Sequence, residues 1–214
     1  MRNAIIFVLS VAAWAAPAHA GIVLTLSDLS SDETSPDDLS ATLAFTVSGS
    51  SLDLIVTNST SLTDGFDITE IYFNTTLQIT GLTLGSGGSG WTLLTDQRAD
   101  GFGTFDYALL NDSGNDLFEI APGESLSFIF SIVGDGFYTD ADCTTQLSSI
   151  PPGSHPAIAA AKFVSGPGDD SAFGAVVPEP ATGLLMLSAI AMLTGRRRSL
   201  HILFGGWLRS TAYC

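Results

Sequence analysis

Ser125-Leu126-Ser127-Phe128-Ile129-Phe130-Ser131-Ile132 repeats with a period of two. Leu126, Phe128 and Phe130 share one side of an extended chain, and Ser125, Ser127 and Ile129 share the other. A helix would scatter these residues around its axis, whereas a strand sorts them onto two faces. The segment is therefore read as a β-strand with an apolar face. The turn sequence Ala121-Pro122-Gly123-Glu124 stands directly before it.

The same period recurs on both sides. Residues 43–47 place Leu43, Phe45 and Val47 on one face, and residues 52–56 do so with Leu52, Leu54 and Val56. Gly49-Ser50-Ser51 joins these two runs as a hairpin loop. Strands are also expected over residues 22–26, 68–73, 77–84, 102–110 and 158–164, the last a weak one because of its alanines. A shorter run begins at Trp91, read as a core residue. Gly85 to Gly90 reads as a flexible loop, and Asn111 to Asp116 as an Asx-rich turn. Helix is expected to be scarce, the one candidate being residues 139–147 with Thr139 or Asp140 as N-cap. Seven to nine short strands at this spacing indicate an all-β fold, an antiparallel β-sandwich. By analogy of strand spacing the sandwich is of the immunoglobulin-like or cohesin-like kind.

Two terminal segments bracket this region. At the front, Arg2 precedes residues 4–16, apolar apart from Ser10, and Pro17-Ala18-His19-Ala20 closes the run with a small-x-small pattern. That is the layout of a signal peptide over residues 1–20, cut between Ala20 and Gly21 by signal peptidase. At the back, Val177-Pro178-Glu179-Pro180 precedes a mostly apolar run over residues 181–193 and the basic cluster Arg196-Arg197-Arg198. Pro178 and Pro180 keep the motif extended. The apolar run satisfies its backbone in lipid only as a helix. The arginines hold the cytoplasmic side.

The segment over residues 178–198 resembles the PEP-CTERM sorting signal of Gram-negative bacteria. The matching features are Pro178-Glu179-Pro180, the apolar run and Arg196 to Arg198, in that order. The resemblance implies recognition by an exosortase, cleavage at or near the motif and release to the cell surface or extracellular matrix. It also implies association with exopolysaccharide and biofilm, and a C-terminal hydrophobic sorting helix that is transiently anchored in the inner membrane. The chain departs from the pattern by continuing past the arginines through residues 199–214.

The expected organisation is therefore a signal peptide (1–20), a sandwich domain (21–170), a linker (171–177), the sorting segment (178–198) and an extension (199–214). Residues 21–177 suit one domain with one core. They carry 21 acidic residues and two basic ones, Arg98 and Lys162, a net charge of −19. Such a charge excludes nucleic acid as a partner, because phosphates would be repelled. It suits a soluble extracellular protein, and one that binds cations.

Catalytic chemistry is poorly supplied. His155 is the one histidine in residues 21–177, set in an expected loop, and no Gly-x-Ser-x-Gly elbow occurs. A zinc site is equally poorly supplied by one histidine and one cysteine. Cys143 has no partner for an internal disulfide and is read as a buried residue. The chain is accordingly expected not to be an enzyme, the alternative being a hydrolase built on paired carboxylates. No cofactor is expected other than calcium, which favours oxygen ligands in turns. The candidates are Asp112 and Asp116 with Asn111 and Asn115, then Asp135, Asp140 and Asp142, and finally Asp169 and Asp170. Asp135-Gly136-Phe137-Tyr138 sets aromatics beside carboxylates, a pairing that suits sugar rings. A calcium- or carbohydrate-binding adhesion module is thus the alternative to a purely structural surface protein. Asn58-Ser59-Thr60, Asn74-Thr75-Thr76 and Asn111-Asp112-Ser113 match the glycosylation sequon and are read here as polar turns.

Overall fold

A computed structural model describes residues 21–27, 39–111, 118–134, 136–149, 155–166 and 170–176. Ten strands form two antiparallel sheets. They are β1 (Ile22–Leu26), β2 (Ala41–Ser48), β3 (Ser51–Asn58), β4 (Asp67–Phe73), β5 (Gly81–Gly87), β6 (Trp91–Ala99), β7 (Gly103–Asn111), β8 (Ser125–Val133), β9 (Ala159–Gly166) and β10 (Asp170–Val176). The first sheet has the order β1-β2-β3-β8-β5 and the second β10-β9-β4-β7-β6. The all-β, two-sheet architecture read from the alternation is what the chain adopts.

The period-two faces become the interior. Phe45 pairs with Leu54, and Leu54 in turn with Phe128, so one register line crosses three strands with apolar side chains inward. Phe73 meets this layer from the second sheet, its ring 5.7 Å from Phe45 and 6.0 Å from Phe130. Cys143 is buried in the same core. Trp91 is buried too, edge-on to Phe128 at 5.4 Å, and its indole N–H donates to Phe118 O at 2.8 Å. Both were expected to be interior.

Four expectations are corrected. The strand read over residues 77–84 begins only at Gly81, and Leu77 is 99% exposed in the preceding loop. The glycine segment from Gly85 is not all loop, because Gly85 to Gly87 extend β5 along β8. At Gly87 (φ +84°) a Cβ would lie 2.0 Å from Ser127 O, so only glycine permits this close approach. The helix read over residues 139–147 shrinks to one 3₁₀ turn, Asp140–Cys143, behind Thr139.

The fourth correction concerns the linker. Residues 171–177 were read as one, yet β10 occupies Asp170–Val176 and pairs with β9. Ala172 and Ala175 on it are buried. Small residues carry little strand signal of their own, but they fit where sheets are covered closely. The same reasoning explains β9, whose alanines weakened it as a strand and which nonetheless lies between β10 and β4. Its Ala159 and Ala161 face the main core, while Ala160 faces a second apolar cluster with Tyr72, Phe102, Phe105, Ala108, Ala157 and Ala175. The second sheet therefore carries a second, smaller apolar cluster on its outer face, where one core was expected.

Candidate functional site

One end of the sandwich gathers the features that suit recognition. Phe73 ends β4, pairs with Ala159 at the start of β9, and Ala159 pairs with Val176 at the end of β10. The loop over residues 74–80 then crosses from β4 to β5 on the other sheet.

That loop is held from three sides. Asn74 is buried; its Oδ1 accepts from Asp106 N–H at 2.9 Å and its Nδ2 donates to Gln146 O at 3.4 Å. Thr75 N–H donates to Asp106 Oδ2 at 2.9 Å. Thr76 N–H donates to Asp142 O at 2.8 Å, and Thr76 Oγ1 to Asp142 Oδ1 at 2.7 Å. Thr80 N–H donates to Val133 O at 2.9 Å, which anchors the far side. Leu77 projects from the tip of this braced loop. Phe137 projects from the neighbouring one, also 99% exposed. The two loops touch, since a Cβ on Gly134 would meet Gln78 O at 2.5 Å.

Below Leu77 lies an open cleft of about 380 Å³. Thr75, Thr80, Thr95, Asp96, Asp106 and Tyr107 are among the residues that line it, the Thr80 hydroxyl donating to Val133 O at 3.0 Å. Asp96 has a left-handed backbone (φ +55°) within edge strand β6. Aspartate tolerates that conformation better than most side chains. Burial raises the Tyr107 pKa and the Asp106 charge adds to it, so the phenol stays neutral and able to donate. A lining of threonines and two aspartates suits a polyhydroxylated ligand or a hydrated cation.

Asp140 and Asp142, candidates for calcium in the sequence, each accept hydrogen bonds that hold these loops. Asp142 Oδ2 accepts from Thr139 N–H at 2.8 Å and Thr139 Oγ1 at 3.1 Å, while Oδ1 accepts from Thr76. Burial works to raise its pKa, but these hydrogen bonds outweigh burial and hold it below the usual carboxylate value. Asp140 Oδ1 accepts from Val47 N–H at 2.5 Å and ties the turn to β2. Both carboxylates thus brace the loops. Asp112, Asp116, Asp135 and Asp169 lie outside the described residues, and Asp170 opens β10. Among the described residues no three histidine, cysteine or acidic side chains converge as a metal site.

Other singled-out residues have clear places. Cys143 is buried and its thiol pushed up to about 12, chiefly by burial, then by the charges of Asp142 and Asp140. It is an inert thiol at neutral pH. His155 is exposed in an irregular segment. Ala20, Val177, Pro178, Glu179, Pro180 and Arg196 to Arg198 lie outside the described residues. Gly21 is described, packed so closely on β2 that a Cβ would meet Thr46 Oγ1 at 2.3 Å.

Two of the three sequon asparagines, Asn58 and Asn74, prove to be more than polar turns. Asn58 is fully buried, and its Nδ2 donates to Phe66 O at 2.7 Å and Ile120 O at 2.8 Å. Asn74 does comparable work at the cleft. Sequence reasoning also passed over Asp96 and Asp106. The polar stretch Thr95-Asp96-Gln97-Arg98, following the apolar Leu93-Leu94, was the available signal.

Comparison with protein-family models, curated proteins and solved structures finds no match to this chain.

Proposed function

We propose that this chain is an exported, non-enzymatic β-sandwich, sorted by the exosortase system to the cell surface or extracellular matrix of a Gram-negative bacterium. There it acts by binding or structural interaction, in association with exopolysaccharide or biofilm. The observation that carries this reading is the order of segments. A signal-peptide layout ends at Ala20, and Pro178-Glu179-Pro180, an apolar run and Arg196 to Arg198 follow the sandwich. The described fold supports it in one respect: pairing begins at Ile22 and ends at Val176, just inside both expected cuts. Processing at these positions would leave every strand intact. In the same reading the sandwich is an immunoglobulin-like or cohesin-like extracellular module, and residues 181–193 form the sorting helix.

Mass spectrometry of the mature protein tests it. The expected ends are Gly21 and a residue near Pro178 to Pro180. Recovery from the cytosol with Met1 still attached overturns export, and a surface form retaining Cys214 overturns sorting in favour of simple anchoring.

The cleft favours a second reading, an adhesion module for carbohydrate or calcium. Threonines beside Asp96 and Asp106 line a cleft suited to sugars, and the neighbouring loop carries the exposed Phe137 ring. Calorimetry with calcium and a glycan array separate the two ligands. No binding in either would leave the structural role.

A further inference from the structure

We propose that the outer face of the first sheet is a self-association surface, covered by the same face of a second copy of this chain. Strand register defines that face. Val23 stands beside Ala44, Ala44 beside Ile55 and Ile55 beside Ser127, so one row crosses β1, β2, β3 and β8. The alternate residues of these strands fill the core, which turns the row outward. Val23 is 57% exposed and Ile55 46%. Ile129 and Val133 lie further along β8 on the same side. Of the nine large apolar side chains exposed among the described residues, four therefore stand on this one face.

Hydroxyls border the apolar row. Thr25, Thr42, Thr57 and Ser125 form the adjacent row on one side, with Thr57 Oγ1 and Ser125 Oγ 2.8 Å apart. On the other side lies the row of Thr46, Asp53 and Ile129, and beyond it Ser48, Ser51 and Ser131. An apolar centre with a polar rim is the anatomy of a protein interface. Asp53 is the one charged residue in the five strands of this sheet. The outer face of the second sheet differs: it carries the Lys162–Glu70 ion pair, and Phe102 and Ala157 pack on it.

Charge selects the occupant. Residues 21–177 carry a net −19, so two copies repel one another, and least where carboxylates are missing. A basic partner would be drawn to the carboxylates elsewhere on the domain. Hydroxyls both donate and accept, so a serine and threonine rim is complementary to itself, as a carboxylate rim is not. A twofold axis lying across the strands along the apolar row sets that row on its copy. The same axis brings the Thr57 row over the row that holds Asp53, hydroxyl to carboxylate. Four strands of about seven residues give a patch of roughly 19 by 23 Å. That is below the ~800 Å² per partner of a standard interface, so the dimer is weak and reversible.

The test is sedimentation equilibrium of the full chain in density-matched nonionic detergent, with micelles in molar excess so that apolar tails occupy separate micelles. The expected result is a monomer–dimer equilibrium that strengthens at least threefold between ~50 mM and ~300 mM sodium chloride, as screening relieves the repulsion. Ile55→Asp should weaken it at least tenfold. Ile55→Thr keeps the β-branched shape that suits a strand and should weaken it at least threefold. Leu147→Asp is the control: Leu147 is 40% exposed but stands beside the second sheet, next to the Thr104–Ser149 bridge, and its substitution should leave the dimer unchanged. Absence of a dimer at millimolar chain overturns the proposal. So does a dimer insensitive to both Ile55 substitutions, which places the contact elsewhere, the tail included. A dimer that salt weakens is held by charge and overturns the assignment to this face.

Discussion

Asn58 shows how one side chain holds distant backbone together. It satisfies two carbonyls, from Phe66 and Ile120, and its Oδ1 accepts Thr60 N–H at 3.1 Å. Leucine is similar in size but leaves these groups buried without partners. Asn58→Leu should therefore cost about 2–4 kcal/mol in urea unfolding, and a loss under about 0.5 kcal/mol would refute this role. Asp142 gives a pH dependence with a definite sign. Its folded pKa is depressed, so its contribution is present above the unfolded value of about 3.9 and is lost as pH falls through the folded one. The stability gap between the native protein and Asp142→Asn should be widest near neutrality and close in acid. A gap that is constant with pH would count against the carboxylate.

At the scale of elements, the edges of the sheets depend on residues with little local strand character. Gly87 at the end of β5 combines positive φ with close contact to Ser127 O. Gly49, in the β2–β3 turn, shares the positive φ (+60°) but has open space around it. Gly87→Ala should therefore destabilise by roughly 2 kcal/mol or more, and Gly49→Ala by about 1 kcal/mol. Equal losses in chemical denaturation would show that crowding is not the difference. β10 provides a second contrast. Cutting the chain after Val177 should leave cooperative unfolding unchanged, whereas cutting after Gly166 removes a paired strand and uncovers β9. The shorter product should melt at least 10 °C lower or fail to fold; an unchanged melt would restore the linker reading.

Across the whole molecule, charge opposes compaction. Residues 21–177 carry a net −19, and of the two basic side chains Lys162 is paired with Glu70 at 3.0 Å. Glu70 also accepts from the Tyr72 hydroxyl, making a half-buried polar group on the outer face of the second sheet. Screening the remaining repulsion should raise the melting temperature by several degrees between ~10 mM and ~0.3 M sodium chloride. A flat salt response would show that the carboxylates are too far apart to matter.

The fold class was legible in the sequence because alternation is local: Leu126, Phe128 and Phe130 reveal their face without reference to any partner. The terminal segments on which the proposed sorting rests are read in the same local way, being short, ordered and continuous. Phe137 was singled out beside its neighbouring carboxylates, yet nothing in the sequence joined it to Leu77. Which strand lies beside which depends on contacts distant along the chain. So do the strand character of β10 with its small residues, the bracing tasks of Asn58, Asn74 and Asp142, and the meeting of Thr75, Asp96 and Asp106 at one cleft. Those were decided only when two sheets closed on one another, because burial and hydrogen-bond demand belong to the space a residue occupies rather than to its neighbours in sequence.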